Sequence, residues 1–457
     1  MTAAAPDTGR RGSLWRHRDF MKLWSAQSIS QLGTQVTFLA LPLVAISVLQ
    51  VSAFEVALLG TVEFLPFILI SIPAGVWVDR LRRRPILIIG DVGRAVALLS
   101  IPIAHLAGVL TIWQLYAVGF ANGVLTVFFD VAYQSYLPAL VERDRLVEGN
   151  AKLDTSRSGA QLVGPGLAGV IIGRLTAPIA ILVDSISYFV SAALVFWIRK
   201  AEPAPEPQLE GERPSMRREA VEGLRYVLTH RYLRNIAACT GSSNFFSNVT
   251  FSILLVYAVR ELGMTEITLG LIFSLGSVGF LLGALIASRI ADRLGVGRTI
   301  LAAAMLFGSA ELLIPIAPRG LAFPFLVASV FLGGLGGVIY NINQVSLRQA
   351  ITPERMQGRM NATMRFIVWG TIPLGSLTGG AIGTIFGLPA AIWAGAIGNL
   401  FTWIPIALSP VPTIVRMPES AAEEAASLNA DAPSRGVPPF APVPDAAGSD
   451  PKPEARP

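Results

Sequence analysis

Apolar residues gather into twelve stretches of about 20 to 27 residues that fill most of the chain between residues 24 and 410. A helix needs about 20 apolar residues to cross the hydrocarbon core of a bilayer. Backbone groups in lipid must be hydrogen-bonded within their own segment, so runs of this length predict helices rather than strands. We therefore predict an all-α membrane protein with twelve transmembrane helices, at residues 24–50, 55–78, 86–107, 111–136, 155–175, 177–198, 233–258, 267–290, 299–318, 320–343, 360–385 and 388–410.

Positive charge alternates between the segments that connect the predicted spans. When cations near a span end are assigned to the adjoining segment, the leader, the even-numbered gaps and the tail hold 32 of the 36 Lys and Arg residues. The odd-numbered gaps hold only Arg174, Arg260 and Arg319, and Arg94 lies inside a span. Because Lys and Arg accumulate in cytoplasmic loops, the pattern predicts a multi-pass protein of the cell (inner) membrane with both termini in the cytoplasm.

Composition and charge exclude several function classes. A hydrophobic content of 53% with 14% charged residues does not suit a water-soluble fold. The chain has a net charge of +6, and its cationic residues lie at the predicted membrane boundaries without interleaved aromatic residues. We therefore expect anionic lipid headgroups rather than nucleic acid beside these cations. The single cysteine, Cys239, excludes an intramolecular disulfide and a cysteine metal cluster.

The spans divide into two sets of six around a polar linker. In that linker Val221, Leu224 and Leu228 share one helical face and Arg225 adds positive charge, which favours an interfacial helix along the membrane. A solvated linker helix is the alternative. We predict a cytoplasmic leader, a six-helix bundle, a cytoplasmic linker, a second six-helix bundle and a disordered cytoplasmic tail at 1–23, 24–198, 199–232, 233–410 and 411–457.

The two sets of six spans repeat each other in sequence. A shift of 213 residues places His17 on His230 and Asp79 on Asp292. Because six is an even number, both copies enter the membrane from the same side, which predicts parallel repeats around an axis along the membrane normal. Such a pair encloses a central cavity.

A charged motif, GVWVDRLRRRPILIIGDVGRA, follows span 2 at residues 75–95. It resembles the loop signature G-x-x-x-D-R-x-x-R-R/K of the major facilitator superfamily, and a weaker copy follows span 8. The resemblance implies the two-bundle fold of that superfamily and a latch, in which Asp79 caps span 11 near Met360 and closes the cytoplasmic side. Charges that only fix topology are the alternative. The residues assigned to the latch are Gly75, Asp79, Arg80, Arg83, Arg84, Asp91 and Arg94, with Gly283, Asp292, Arg293 and Arg298 in the second copy.

Span 5 contains the segment GPGLAG at residues 164–169. Its G-x-G-x-x-G spacing also occurs in dinucleotide sites, but such a site follows a strand and this segment lies in a predicted membrane helix. The segment resembles the GPxxGG signature of exporters in the same superfamily, with matches at Gly164, Pro165 and Gly169 and with Ala168 in place of one glycine. The resemblance favours export over uptake, and close packing of a kinked helix is the alternative.

Polar residues inside the spans are candidate site residues, because an unpaired charge at the centre of a membrane helix costs about 2.5 kcal/mol or more. Glu63 and Asp130 are the predicted proton carriers, whereas we expect Asp184 to cap a neighbouring helix. Glu311 is a further carboxylate inside a span. The superfamily resemblance places spans 1, 4, 7 and 10 around the cavity, although hydrogen bonding between helices is the alternative for each polar stripe. The predicted pathway is completed by Gln27, Gln31, Thr34, Tyr133, Gln134, Asn244, Asn248, Asn341, Asn343 and Gln344.

The chain also resembles one drug:proton antiporter subgroup of the superfamily in the phrases EAVEGLRYVLTHRYLRN, TPERMQGRMNA and ILVDSISYFVSA. That subgroup includes macrolide and tetracycline efflux proteins and a catecholate siderophore exporter. The resemblance implies a secondary active transporter that exports amphipathic, drug-like compounds in exchange for protons by alternating access. Its expected partners are a small-molecule substrate, protons and the bilayer, and we expect a monomer.

No ATP or other cofactor is expected, because the chain has no G-x-x-x-x-G-K-[ST] loop and a proton gradient supplies the driving force. An enzyme is not expected, because the histidines at 17, 105 and 230 do not cluster within a span. The alternatives are an exporter of a siderophore or another endogenous metabolite, a lysophospholipid transporter and, from another class, a non-transporting membrane receptor.

Overall fold

A computed structural model describes residues 14–142, 145–200, 202 and 216–417. These residues form α-helices and short helical turns, and the described part contains no strand. The predicted disordered tail beyond residue 417 and most of the predicted linker lie outside the described residues.

The helices follow the chain in two groups. The first group consists of α1 (Arg18–Leu43), α2 (Ala53–Leu69), α3 (Ser71–Arg80), α4 (Arg83–Leu106), α5 (Ile112–Leu140), α6 (Leu146–Leu175) and α7 (Ala177–Phe196). The second group follows the linker helix α8 (Met216–Thr229) and consists of α9 (Leu233–Arg260), α10 (Glu266–Leu294), α11 (Val296–Ala310), α12 (Ala322–Ala350), α13 (Glu354–Ile385), α14 (Leu388–Leu400) and α15 (Ile404–Ala407). We call the two groups the N-terminal and C-terminal halves.

Ten helical segments of the described residues are long and apolar enough to cross a bilayer. Predicted spans 2 and 5 fall on helices outside this set. Span 2 is divided between α2 and α3 at Ile70, because Pro73 has no N–H to donate to the Leu69 carbonyl. Span 5 lies in α6, which begins at Leu146 rather than at residue 155 and has a polar first half. The all-α membrane fold is confirmed, and the count of twelve spans stays a prediction.

Loops that carry Arg82, Arg145 and Arg199 lie on one face of the molecule, which we call the basic face; the other is the outer face. On the outer face, hydroxyl side chains begin several helices. The side chains of Ser52 and Thr111 accept the N–H three residues onward, at 3.3 Å and 3.4 Å, and so satisfy donors that the first helical turn leaves free.

Neighbouring helices pack mainly within their own half. In the N-terminal half α1 packs against α6 and α7, and α4 packs against α5 and α7; in the C-terminal half α9 packs against α13 and α14, and α12 against α10 and α11. Three helix pairs join the halves within the described residues: α6 with α10, α2 with α13 and, less extensively, α2 with α9. The linker helix α8 rests on α13 through Gly223, while Leu224 and Leu228 remain exposed.

Buried apolar residues form three clusters, and their positions show where the halves meet. One cluster joins both halves at the outer ends of the helices, and we call it the outer seal; it includes Leu43, Leu59, Val256 and Leu269. Nearer the basic face, each half has its own cluster. The N-terminal one includes Leu23, Leu87 and Tyr136, and the C-terminal one includes Leu233, Ile300 and Met360. The halves are therefore packed together at the outer face and have separate cores at the basic face.

Candidate functional site

Two adjoining cavities lie between the helices. The smaller cavity, of about 460 Å³, is lined mainly by α1, α2 and α5 of the N-terminal half. The larger cavity, of about 980 Å³, is lined mainly by α9, α10 and α12 of the C-terminal half. Phe38, Asn248 and Phe251 line both cavities, which therefore meet at these three side chains.

The structure brings eight of the predicted pathway residues to the cavity walls. Asn343 and Gln344 are buried away from both cavities, and the Asn343 amide donates to the Ile339 carbonyl at 2.8 Å within its own helix. Tyr133 and Gln134 line neither cavity in the part of the chain that the structure describes. The residues at the cavity walls are Gln27, Gln31, Thr34, Glu63 and Asp130 in the smaller cavity, Asn244 and Asn341 in the larger one, and Asn248 in both.

Glu63 extends from α2 into the smaller cavity. Two glycines of α5 allow this approach, because an added Cβ at Gly119 would lie 2.9 Å from Glu63 Cγ and one at Gly123 would lie within 2.4 Å of the Glu63 carbonyl oxygen. Within the described residues, no hydrogen-bond donor reaches the Glu63 carboxylate. It is an acceptor without a partner, at the wall of a cavity.

Asp91 and Arg94, which were assigned to the predicted latch, form a buried ion pair within α4. Arg94 Nη2 lies 2.5 Å from Asp91 Oδ1, and the Ser191 hydroxyl donates to Asp91 Oδ2 at 2.6 Å. The Arg94 guanidinium lies 4.2 Å from the ring centres of Phe129 and of Tyr188. This buried pair belongs to the interior of the N-terminal half, and Arg94 also lines the smaller cavity. These contacts of both side chains lie within the N-terminal half, and the role of the pair in the latch stays a prediction.

The remaining motif residues lie on the basic face. The Glu202 carboxylate accepts the N–H groups of Arg83 and Arg84, at 2.7 Å and 3.1 Å, and so caps α4. The Arg84 guanidinium donates to the carbonyls of Val195 and Phe196 at the end of α7. Gly75 and Arg80 lie in α3 with Asp79, whose side chain is outside the described residues. In the second copy, Gly283 packs against Leu335, whereas Asp292, Arg293 and Arg298 are exposed.

Gly166 and Gly169 of the GPGLAG segment face the other half. At Gly169 an added Cβ would lie 2.6 Å from the Glu266 carbonyl oxygen and 3.0 Å from Gly270 Cα, so the backbones of α6 and α10 are in contact. Pro165 lines the larger cavity, and Gly164 packs against the Gln35 side chain. The segment therefore lies at the interface of the halves and beside the cavity.

Two further carboxylates inside the spans are held by hydroxyl groups. Asp184 is 1% exposed, and its carboxylate accepts from Thr37 at 2.5 Å and from Ser187 at 3.0 Å. This bonding joins α7 to α1 through hydroxyl groups, not through the backbone N–H groups of a helix start, which Asp184 was expected to cap. Glu311 follows α11, accepts from Ser247 and from Thr250, the latter at 3.1 Å, and lines the larger cavity. Glu311 was absent from the predicted pathway.

Three aromatic rings stand where the cavities meet. The ring centre of Phe38 lies 6.1 Å from that of Phe251 and 6.2 Å from that of Phe273, and the latter two are 6.3 Å apart. Phe38 comes from the N-terminal half and the other two from the C-terminal half. Because Phe38 and Phe251 remain about 45% exposed, the rings offer an aromatic surface to a bound molecule.

Comparisons with known proteins agree with this architecture. The model of the transmembrane secretion effector family matches residues 13–435. The multidrug efflux pump Tap of Mycolicibacterium fortuitum is 26% identical over 79% of this chain and 88% of its own length. The enterobactin exporter EntS of Salmonella typhi is 24% identical over 86% of this chain and 89% of its own length.

Among solved structures, a bacterial homologue of the iron transporter ferroportin shares the fold. Its inward-facing structure has a TM-score of 0.65 at 16% identity, and the match covers 86% of this chain and 98% of the other. Its outward-facing structure has a TM-score of 0.53.

Proposed function

This chain belongs to the transmembrane secretion effector family of the major facilitator superfamily, and we propose that it exports amphipathic organic compounds in exchange for protons. The family and fold are those of multi-pass membrane transporters of small molecules, not of enzymes. The relatives named as exporters support the direction of transport. In this proposal the protein works as a monomer, without ATP or a bound cofactor.

The position of the Glu63 carboxylate, at a cavity wall and without a bonding partner among the described residues, is the observation that carries the proposal. A carboxylate enclosed by apolar groups without a cationic partner is stable only in its protonated form, whereas contact with water favours release of the proton. Glu63 has no partner in the described structure and borders a cavity that also contains Asp130. Arg94 and Arg157 attract the Asp130 carboxylate, which therefore has charge compensation that Glu63 lacks. We accordingly assign the coupling proton to Glu63 and a supporting role to Asp130.

The way the halves pack supports alternating access as the proposed mechanism. The outer seal closes one face, and the separate cores at the basic face leave the halves free to part there. If the basic face is cytoplasmic, as the charge pattern predicts, this is an inward-facing arrangement. The seal would open as the latch residues of the basic face come together, and Glu63 would exchange its solvent access with each cycle.

Inverted membrane vesicles provide the test. A respiratory pH gradient is followed with a fluorescent weak base, and compounds of the macrolide, tetracycline and catecholate classes are added one at a time. We expect at least one class to release protons from vesicles with the native protein. Glu63→Gln keeps the shape of the side chain but cannot carry the proton, so release should fall to the level of empty vesicles.

Glu261→Gln is the matched control, because Glu261 is exposed beyond the end of α9 and borders neither cavity. It should retain native proton release. Native coupling in Glu63→Gln would refute the assignment of the coupling proton, and the absence of compound-dependent proton release from native vesicles for every class would refute proton exchange.

A further inference from the structure

The internal repeat also aligns hydroxyl residues of the first helix in each half. Hydroxyls among them donate to the two remaining carboxylates inside the spans, Asp184 and Glu311. The shift of 213 residues that aligns the halves places Thr34 on Ser247 and Thr37 on Thr250. In the N-terminal half, Thr37 donates to Asp184 of α7. In the C-terminal half, Ser247 and Thr250 both donate to Glu311. Each half thus holds one carboxylate with a hydroxyl from the same position of its first helix, Thr37 or Thr250, whereas Thr34 bonds the Ser30 carbonyl instead.

The two carboxylates differ in what they can reach. Asp184 is sealed between α1 and α7 and is not part of either cavity wall. Glu311 comes from the turn after α11, and its ring of donors is extended by Asn399, whose amide donates to the Ser247 hydroxyl at 3.1 Å. Unlike Asp184, Glu311 forms part of the wall of the larger cavity. Of these two carboxylates, only Glu311 is therefore available to a ligand.

The charge of Glu311 is not balanced by a cation of the protein. Among the described residues that line the larger cavity there is no Lys or Arg and no second carboxylate. The donors to Glu311 are neutral hydroxyl groups, which orient the carboxylate without cancelling its charge. Lone pairs of the carboxylate oxygens remain available to a ligand. The smaller cavity differs, because Arg94 lies in its wall and attracts the Asp130 carboxylate.

Aromatic rings line the same cavity. Phe251, Phe273, Phe280, Phe307 and Tyr340 contribute to its wall. Aromatic faces attract cations and also pack against apolar groups, and the volume of about 980 Å³ accommodates a drug-sized molecule.

We propose that the larger cavity binds an organic cation, with its charged group against the Glu311 carboxylate and its apolar body against the aromatic rings. This inference rests on the proposed export function and names its substrate class. Substrate and proton then have separate carboxylates, Glu311 in one half and Glu63 in the other.

A pair of ions that match in size and shape but differ in sign tests the proposal. The purified full-length protein in dodecyl maltoside is titrated calorimetrically, in separate experiments, with tetraphenylphosphonium and with tetraphenylborate. We expect the native protein to prefer the cation by about tenfold or more, since a close opposite charge contributes about 1.4 kcal/mol or more. Glu311→Gln should weaken cation binding by about tenfold and remove the preference, whereas Glu311→Asp should retain it.

Asp184→Asn is the matched control, because it removes a carboxylate that hydroxyl groups also hold but that lies outside both cavities. It should bind the cation within about twofold of the native affinity, and size-exclusion profiles report whether each variant is folded. Native cation affinity in Glu311→Gln, equal binding of the two ions, or no binding of the cation by the native protein would each overturn the proposal.

The vesicle experiment separates this inference from the proposed function. Glu63→Gln should keep its preference for the cation in calorimetry while it loses proton release. If the charge preference depends on Glu311 but no compound drives proton release, proton exchange fails and the cation site stands. If proton release is intact but the charge preference is absent, only the cation site fails.

Discussion

Replacement of Gly169 by alanine should separate the two halves at the contact of α6 with α10. An alanine Cβ would lie 2.6 Å from the Glu266 carbonyl oxygen, 3.0 Å from Gly270 Cα and 3.2 Å from Ile267 Cα. Optimal contacts of carbon atoms lie at about 3.5–4.0 Å, so the helices must move apart by roughly 0.5–1 Å. All three obstacles are backbone atoms, which cannot rotate away as a side chain can.

We expect Gly169→Ala to lower the free energy of unfolding by about 1–3 kcal/mol, which is the usual effect of an extra methyl group in a close-packed contact. Gly159 lies on the same helix with no atom within 4 Å of an added Cβ. Gly159→Ala should therefore raise the stability by about 0.5–1 kcal/mol, because alanine favours the helix over glycine. The two variants change the same helix in the same way and differ only in what faces the methyl group.

The assay is equilibrium unfolding in mixed micelles of dodecyl maltoside and sodium dodecyl sulfate, followed by tryptophan fluorescence. Gly270→Ala, combined with Gly169→Ala in a double-mutant cycle, should give a loss smaller than the sum of the single losses, because both methyl groups enter one gap. If Gly169→Ala is as stable as Gly159→Ala, the backbone contact does not hold the halves together and the reasoning fails.

Three further predictions concern the basic side of the molecule and the buried ion pair. Arg94→Met leaves Asp91 without its cation, so unfolding in the same assay should become easier by about 3–5 kcal/mol, and an unchanged midpoint would contradict the pairing. Burial and the neighbouring Arg231 lower the pKa of His230 to about 4. Between about pH 6.5 and 4 the unfolded chain therefore binds a proton at this residue and the folded chain does not, so the free energy of unfolding should fall as the pH drops through that range. His230→Asn should remove this pH dependence from the melting temperature. Glu202→Ala removes the carboxylate that caps α4, and we expect a loss of about 1 kcal/mol, with Glu202→Gln intermediate between it and the native protein; equal melting of all three proteins would exclude the cap.

Helix positions followed from the sequence wherever apolar runs were long and uninterrupted, because the bilayer imposes length and composition directly. The break at Ile70 was missed, although Pro73 was visible, because proline is often accommodated within a membrane helix and the apolar run continues through it. The polar first half of α6 was assigned to a loop because hydropathy alone separates spans from loops, whereas a helix can continue beyond the lipid.

The site was predictable to the extent that it depends on which residues share a helix. Gln27, Gln31 and Thr34 reach the smaller cavity because their spacing places them on one face of α1. Arg94 was assigned to the latch that closes the cytoplasmic side, yet it lies eleven residues after the start of α4 at Arg83, or about 16 Å into the helix. Glu311 meets Ser247 only through tertiary packing; the repeat of hydroxyls at a shift of 213 residues was the one signal in the sequence that could have indicated it.

The outer seal is made of aliphatic and aromatic side chains, and this gives the transport cycle a thermal sensitivity. Attraction between apolar surfaces weakens on cooling, whereas contacts between charged groups at the basic face respond mainly to ionic strength. Cold should therefore loosen the outer seal, and concentrated salt should loosen the predicted charged latch on the basic face. In the proposed alternating-access cycle, a population of these molecules is then driven towards either accessible state by the solvent alone, with no cargo present.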